Sequence, residues 1–276
     1  MPQPSQFRRS LASAALLVLI GCTLCCAQQA QPNGMVRTPI VITSDAEFTA
    51  ANGVVRGIGT EEDPFIVSGW TIEIGDAFAG IRIEGTETWF EIIACTIRGP
   101  GRAGISFLDV QNGAIRNCTI DEAEYGIDID GSRDCSFVGN RIEACDSSVF
   151  FYAASFNTFS ANTIRDAIHG LTLYEGSTNN QIFDNSFEAG SVLTINGGCD
   201  SNWVYRNDFL CGRAVSYAYN SWHSRDREGN YWSNYRGEDA DGDGFGELAY
   251  RLLGSLQEFD YHPAIVPYHQ ENPDGE

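Results

Sequence analysis

A short sequence signature recurs through the middle of the chain at a nearly constant spacing. Each copy ends in an apolar residue, as in Asn117-Cys118-Thr119-Ile120 and Ala161-Asn162-Thr163-Ile164. These apolar residues fall at positions 97, 120, 142, 164, 187, 209 and 232, in steps of 22 or 23 residues. A fixed period of this length is typical of a solenoid, a propeller or another repeat array.

A second apolar series runs beside the first and alternates as a β-strand does. Its pairs are Ile81/Ile83, Ile105/Phe107, Ile127/Ile129, Val149/Phe151, Leu171/Leu173, Leu193/Ile195 and Val215/Tyr217. A propeller blade needs about twice this length, and the spacing of a leucine-rich repeat is absent. The sequence therefore predicts an all-β fold, a right-handed parallel β-helix of about seven coils with a cap at each end.

Two columns of equivalent residues have predicted structural roles. Asparagines stand at the same place in successive repeats and predict a ladder of stacked side-chain amides: Asn140, Asn162, Asn185, Asn207 and Asn230. Glycines precede four of the strands and predict tight turns: Gly80, Gly104, Gly126 and Gly170.

The N-terminus has the pattern of a secretory signal peptide, with Arg8-Arg9 before an apolar run from Leu11 to Ile20. Two processing sites are compatible with it. Cleavage after Cys25-Cys26-Ala27 would free a soluble chain, whereas Leu19-Ile20-Gly21-Cys22 resembles a lipobox and would place a lipid anchor on Cys22. No later segment is apolar enough for a transmembrane helix. We expect a secreted, periplasmic or outer-surface protein.

The chain divides into four predicted segments. They are a signal peptide over 1–27 (or a lipoprotein signal ending before Cys22), an N-terminal segment and helical cap over 28–58, β-helix repeats over 59–220, and a C-terminal cap over 221–276. The run from Ser44 to Phe48 predicts a capping box that opens a short helix in the first cap. Aromatic residues after Trp222 predict a plug for the other end.

The net charge of the chain limits the kinds of molecule it can bind. The chain has 17 Lys and Arg against 37 Asp and Glu, a net charge of −20. Such a surface repels nucleic acid and anionic lipid.

Six cysteines follow the signal region, and we expect buried thiols, with disulfides as the alternative in an oxidising compartment. They are Cys95, Cys118, Cys135, Cys145, Cys199 and Cys211.

An acidic loop in the C-terminal cap is a candidate metal site. Its alternating carboxylates followed by Gly244 match the first half of an EF-hand loop. The candidate ligands are Asp239, Asp241, Asp243, the Phe245 carbonyl and Glu247. Position twelve is Tyr250 instead of Glu, so a distant acid, Glu258 or Asp260, would have to complete the site. The sequence predicts a structural calcium ion here, with a metal-free acidic hairpin as the alternative.

Motifs at both ends of the repeats carry a family resemblance. The stretch from Gly59 to Ile66 and the stretch from Gly229 to Gly246 resemble the opening and closing motifs of NosD-type β-helix proteins. The resemblance covers residues 38–265 and implies an exported right-handed β-helix of the carbohydrate-binding and sugar-hydrolase type. NosD itself is named for copper, which requires clustered His, Met or Cys. We do not expect copper here, because the histidines lie far apart in sequence: His169, His223, His262 and His269.

The outward positions of the repeated strand form the candidate binding surface. They are Arg82, Glu84, Ser106, Leu108, Asp128, Asp130, Phe150, Tyr152, Thr172, Tyr174, Thr194 and Asn196. Aromatic rings beside charged groups suit a sugar polymer, and an exposed Phe150 is unusual for a solvated face. The predicted ligand-binding residues are Arg82, Asp128, Asp130, Phe150, Tyr152 and Tyr174.

A catalytic role is the alternative for the same face. Asp128 and Asp130 are about 7 Å apart along one strand, and with Glu84 they are the candidate acids of a glycan-cleaving enzyme. The paired-Asp motif of polygalacturonases is missing, and Arg82 is the only basic residue of the face. We therefore expect non-catalytic binding of a carbohydrate or another extended surface partner. A glycan-cleaving hydrolase or lyase and a purely structural or adhesive solenoid are the alternatives.

Overall fold

A computed structural model describes residues 34–254 and 256–269 of the chain. Strands account for 49% of it and helix for 3%, and the strands stack into a parallel solenoid of about 8 turns. The predicted parallel β-helix is confirmed. In the described part of the chain, no helix has the length and apolarity needed to cross a membrane. The predicted signal peptide and Cys22 lie outside the described residues.

The strands are short and follow one another around each coil. In chain order they are β1 (Met35–Arg37), β2 (Ile40–Ile42), β3 (Val54–Arg56), β4 (Phe65–Ser68), β5 (Trp70–Glu73), β6 (Ala79–Thr86), β7 (Phe90–Ile93), β8 (Thr96–Arg98), β9 (Ala103–Val110), β10 (Gly113–Arg116), β11 (Thr119–Asp121), β12 (Tyr125–Asp130), β13 (Ser136–Val138), β14 (Arg141–Glu143), β15 (Ser147–Tyr152), β16 (Thr158–Ser160), β17 (Thr163–Tyr174), β18 (Gln181–Phe183), β19 (Ser186–Ile195), β20 (Trp203–Tyr205), β21 (Asp208–Phe209), β22 (Arg213–Ser216), β23 (Tyr231–Trp232), β24 (Tyr250–Arg251) and β25 (Phe259–Asp260).

Each coil contributes a strand to three parallel columns. One column contains β5, β8, β11 and β14, a second contains β6, β9, β12 and β15, and the long strands β17 and β19 join these two. The third column is a separate sheet that includes β7, β10, β13, β16, β18 and β20. Stacking already begins with β1 on β5 and β2 on β6, so the coils extend into the segment predicted as the N-terminal cap.

The inward side chains of the second column form the predicted apolar ladder. Ile81, Ile105 and Ile127 are all fully buried. The last predicted pair, Val215 and Tyr217, is wrong. A register shift at the start of β22 aligns Ala214 with Leu193, which leaves Tyr217 46% exposed. A one-residue slip turns every side chain of a strand to the opposite face.

Two asparagine ladders run through the buried turns of the coils. In the predicted ladder, the Asn140 backbone N–H donates to Asn162 Oδ1 at 2.9 Å, and each lower rung repeats the contact as far as Asn230. A second ladder with the same bonding was not predicted; its members are Asn157, Asn180, Asn202 and Asn220. Each rung satisfies polar groups that the closed coil removes from water.

Both ladders end on a carboxylate from the C-terminal cap. Asp260 Oδ2 accepts the Asn230 N–H at 2.7 Å, and Glu258 Oε1 accepts the Asn220 N–H at 2.7 Å. The final rung needs an acceptor, because no further asparagine follows it. These two acids therefore terminate the ladders, and neither belongs to the group of carboxylates that meet at the acidic loop.

The glycines at the strand starts have a different role from the predicted one. Gly104 lies inside β9 and has no left-handed backbone conformation. A Cβ atom there would lie 2.3 Å from Ile120 Cγ2 and 2.7 Å from the Gly126 carbonyl oxygen. Gly126 is similarly crowded, at 2.4 Å from Ile142 Cγ2. These glycines allow close packing between columns, and the prediction of tight turns is wrong.

The caps and cysteines complete the core. The predicted short helix is a 3₁₀ turn at Asp45–Glu47, and the Ser44 side chain does not cap it. At the other end, the Trp232 ring stacks between Phe209 at 4.5 Å and Tyr250 at 4.2 Å, which forms the predicted aromatic plug. All six described cysteines are free thiols; five are buried, and Cys211 is exposed.

Candidate functional site

The second column presents the predicted polar and aromatic residues in register on one surface, here called the strand face. Asp128 is aligned with Ser106 on one side and Phe150 on the other. Tyr152 is aligned with Tyr174 on the next coil. The register follows from the buried alternation of each strand, since only one pairing keeps all the apolar side chains inside.

A cavity of about 380 Å³ opens on the strand face over its first coils. It is lined by Phe78, Arg82, Arg102, Ser106, Leu108, Asp128 and Asp130. Phe78 and Arg102 were not predicted as site residues; they stand in the turns just before β6 and β9. Their shared location could have been predicted, because each residue immediately precedes its strand and the two are one repeat apart.

Two arginines form one wall of this cavity. The Arg82 guanidinium lies 4.5 Å from the centre of the Phe78 ring, and Arg102 lies 5.5 Å from the same ring. Arg102 also lies 5.1 Å from the Tyr125 ring. The expectation that Arg82 is the only basic residue here is therefore wrong, because the turns add Arg102 to the face that the strands define.

The candidate acids occupy unequal environments. Burial raises the pKa of Asp128 above its ordinary value, and the Arg102 guanidinium opposes that shift. Burial also raises the pKa of Asp130, with the Asp109 carboxylate adding to the effect. Glu84 forms an ion pair with Arg82 on the same strand. Asp128 is thus the acid most removed from water, and Glu84 is engaged as the partner of an arginine.

The aromatic part of the face lies beyond the acids. Phe150 is half-buried, with its ring 5.6 Å from Tyr125 and 6.3 Å from Tyr174, so the expectation of an exposed Phe150 is wrong. The exposed rings are Tyr152 and Tyr174, whose centres are 5.9 Å apart. Of these two tyrosines, Phe150 packs against Tyr174, and both tyrosine rings are available for contact with a ligand.

The acidic loop folds around its first aspartate. Asp239 accepts backbone hydrogen bonds from Gly242 at 2.7 Å and Gly244 at 3.0 Å. Carboxylate oxygens of Asp239, Asp241 and Glu247 lie within 4.8 Å of one another, whereas Asp243 is not part of that group. Three exposed oxygen donors suit a hard cation such as calcium. Calcium at this loop, and the Phe245 carbonyl as its ligand, stay predictions.

Histidines separated in sequence meet in the C-terminal cap. The rings of His223 and His262 are 5.1 Å apart, edge to face. His223 Nδ1 donates to the Ser224 carbonyl at 2.9 Å, so Nε2 is the ring nitrogen outside that bond. Burial, with smaller effects of His223 and Arg227, lowers the pKa of His262. Distance along the chain was therefore a poor argument against a histidine pair.

Imidazole nitrogens are suitable copper ligands, but the pair is incomplete by itself. Among the described residues, the group of three or more His, Cys, Asp or Glu donors close enough for one metal is the all-oxygen group of Asp239, Asp241 and Glu247. Met35 lies on β1 at the opposite end of the coils. Two imidazoles fall short of the ligand sets of protein copper centres, so a copper ion held by this pair would need further ligands.

Comparison with known proteins gives two curated relatives that are both named "Probable ABC transporter binding protein NosD". The Pseudomonas aeruginosa protein is 30% identical over 148 residues, which cover 49% of this chain and 30% of the relative. The Stutzerimonas stutzeri protein is 31% identical over 103 residues, 37% of this chain and 19% of the relative. The chain thus spans less than a third of the length of either relative.

Among solved structures, a match is found to trypsin-treated QnrB1 M102R, a plasmid-mediated fluoroquinolone resistance protein. It has 16% identity and a TM-score of 0.20, and it covers 59% of this chain and 81% of that one. A likeness this weak supports no argument.

The sequence profile of one family matches most of the chain. Its description is "Periplasmic copper-binding protein (NosD)", and the match covers residues 42–237. The word "copper-binding" in this description disagrees with our expectation from the sequence. The word "periplasmic" agrees with the expected export. Both relatives are named as binding proteins, which agrees with a binding role. On this match, the chain belongs to the NosD family of periplasmic β-helix proteins.

Proposed function

We propose that the protein binds a neutral carbohydrate polymer along its strand face without cleaving it. The observation that carries the proposal is the exposed pair of Tyr152 and Tyr174, 5.9 Å apart and continuous with the cavity that holds Asp128. Tyrosine rings offer an apolar surface to the C–H face of a sugar, and their hydroxyl groups stay in water.

The shape of the face favours a polymer over a small molecule. Six aligned strands, from β6 to β19, carry its outward positions. At the usual spacing between strands this surface extends for about 24 Å. A ligand lying across the coils would meet the arginines and acids first and then the two tyrosines.

The charges of the face favour a neutral ligand. Arg82 is paired with Glu84, and Arg102 is 4.0 Å from Glu124. Asp128 and Asp130 remain beside these pairs, on a chain whose net charge is −20. Hydroxyl groups can donate to the carboxylates and accept from the guanidinium groups, whereas a polyanion would meet net repulsion.

Cleavage of the glycan is the second candidate. Burial raises the pKa of Asp128, and a partly buried carboxyl group near a second carboxylate is a recurring arrangement in glycosidases. Arg102 adds a second cation to the cavity. The names of the relatives favour binding, which ranks cleavage second.

The test is to incubate the exported chain with a panel of polysaccharides and to measure both depletion and released oligosaccharides by mass spectrometry. We expect depletion of a neutral polymer without products. The double variant Tyr152→Ala/Tyr174→Ala should weaken depletion at least about tenfold, as loss of an aromatic anchor does. Tyr261→Ala, an exposed tyrosine in the C-terminal cap, is the matched control.

Three results would redirect the interpretation. Released products that disappear in Asp128→Asn would make the protein an enzyme. Binding that survives the double tyrosine variant would place the ligand elsewhere. Neither depletion nor products would leave a structural or adhesive solenoid.

A further inference from the structure

A second groove lies on a different side of the coils from the strand face. It has a volume of about 510 Å³, within the usual range for ligand sites. The eight-stranded sheet forms its floor, with Gln181 on β18 and Trp203 on β20. The turn from Ser224 to Glu228 in the C-terminal cap forms its wall. The groove is here called the cap groove.

Aromatic residues line the floor where two coils meet. Trp203 is half-buried and is aligned with exposed Gln181 on the neighbouring strand. Two residues further along the same strands, the rings of Phe183 and Tyr205 stack at 5.2 Å. The stack holds Tyr205 in place, so the floor offers fixed ring surfaces next to an amide side chain.

Phe156 borders the groove in an unusual conformation. It has a φ of 60° and is 59% exposed. The equivalent turn positions of the neighbouring coils also have positive φ, but they are small polar residues, such as Asp134 and Asn179. A bulky residue in this region is strained, and strain of this kind concentrates at functional sites. A phenylalanine adds an exposed ring to the groove at a conformational cost.

The charges around the groove nearly cancel. Arg206 bonds to Asp184 at 2.7 Å and to Glu228 at 2.8 Å. Arg225 lies 5.8 Å from the centre of the Trp203 ring. The exposed Asp226 carboxylate forms no ion pair within the described residues. The groove therefore lacks the positive excess that an anionic ligand needs, and it has polar groups for a neutral one.

From these features we infer that the cap groove is a second carbohydrate site, which takes a short segment of a neutral glycan. The rings of Trp203 and Phe156 contact the C–H faces of the sugar. Gln181 and Asp226 bond to its hydroxyl groups, since amides and carboxylates match the donors and acceptors of a sugar. The site is independent of the strand face, because it uses another sheet and the cap turn.

The experiment is affinity electrophoresis of the exported chain in native gels that contain neutral soluble polysaccharides (a β-glucan, a xylan and a galactomannan), with polygalacturonate as the anionic comparison. We expect at least one neutral polymer to retard the protein. Trp203→Ala should weaken that retardation at least about tenfold, and Gln181→Ala, an exposed change that spares the fold, should weaken it severalfold. Each variant is made in the Tyr152→Ala/Tyr174→Ala background, which removes the exposed tyrosine pair of the strand face, so that the retardation reports the cap groove. Tyr261→Ala, an exposed tyrosine that does not line the cap groove, is the matched control and should leave that retardation unchanged.

The experiment distinguishes binding at the strand face from binding at the cap groove. Retardation of the unmodified protein that is lost in the Tyr152→Ala/Tyr174→Ala background and kept in both the Trp203→Ala and the Gln181→Ala single variants would support the strand face alone and overturn the second site. Retardation by polygalacturonate only, or by no polymer, would also overturn it. If Trp203→Ala does not fold, Gln181→Ala decides the question, and normal retardation of that variant refutes the inference.

Discussion

The carboxyl group at the buried end of the first asparagine ladder should make the free energy of unfolding depend on pH. Asp260 is fully buried, and burial raises its pKa from 3.8 to about 6. Its Oδ2 accepts from Asn230 N–H at 2.7 Å and from Trp232 Nε1 at 3.0 Å, and Oδ1 accepts from His262 N–H at 3.1 Å. These bonds favour the carboxylate, but they do not offset the loss of hydration.

The sign of the effect follows from proton binding. Between pH 3.8 and 6 the folded state holds the Asp260 proton and the unfolded state has released it. The free energy of unfolding therefore decreases as pH rises through this window. A difference of about two pKa units corresponds to about 3 kcal/mol. The free energy of unfolding is therefore larger when Asp260 is protonated in the folded protein than when it is ionised.

Asp260→Asn isolates this contribution. The amide Oδ1 can accept from Asn230 and Trp232 as the asparagines of the ladder do, but Nδ2 cannot accept from the His262 N–H. The lost bond costs about 1–3 kcal/mol at any pH. At pH 4 we therefore expect the variant to be less stable than wild type by this amount. At pH 7.5 we expect it to be about as stable or slightly more stable, because it has no buried charge.

The assay is urea unfolding of both proteins between pH 4 and pH 7.5, followed by circular dichroism. The difference in unfolding free energy between variant and wild type should change by about 2.4 kcal/mol across this range, because the unfolded carboxyl group is already partly ionised at pH 4. Asp243→Asn, in the exposed acidic loop, is the control and should show a much smaller change. A difference that stays constant with pH would refute the reasoning, since Asp260 would then not titrate in this window.

Three further predictions concern the C-terminal cap and the thiols. If calcium occupies the acidic loop, free calcium at one hundred times its Kd should stabilise the protein by about 2.7 kcal/mol; Asp239→Ala should abolish the gain, and a Tm unaffected by chelator would contradict the site. Cu²⁺ bound to the protein should show nitrogen hyperfine splitting in electron paramagnetic resonance that is lost in His223→Ala/His262→Ala and kept in His169→Ala; a signal that persists in the double variant would place copper elsewhere. The six described cysteines of the native protein should together contribute one equivalent of rapid reaction with a thiol reagent, at exposed Cys211, and Cys211→Ser should abolish that equivalent; rapid reaction at any of the other five would mean that the core thiols are accessible.

The solenoid was predictable because each repeat satisfies the same physical requirement at the same position. Ile81, Ile105 and Ile127 must be inside, and a 22- or 24-residue step puts them in one buried column. The register of the strand face follows from that column without further information. The prediction failed at Tyr217, where the repeat shifts by one residue near the cap and the strand turns over.

The second asparagine ladder was also present in the sequence, at the same period as the first. Asn157, Asn180 and Asn202 are 22 or 23 residues apart, and a buried apolar residue follows each of them two positions later, as in the first ladder: Phe159, Ile182 and Val204. The signal was therefore present, and the structure adds the bond itself, in which Oδ1 of the asparagine on the next coil accepts the backbone N–H. A polar repeat carries less information than an apolar one, since exposed turns repeat polar residues as well.

Contacts between the coils and the cap had no periodic signal at all. His223 and His262 are brought together because the last strand pairs back on the cap, and Glu258 and Asp260 end two ladders that began more than a hundred residues earlier. The cap groove arises in the same way, since Trp203 belongs to the repeats and Asp226 to the cap. A repeat pattern specifies what each coil shares with its neighbours. Sites formed where the pattern stops depend on residues that have no counterpart in the other coils, and they can be located only in three dimensions.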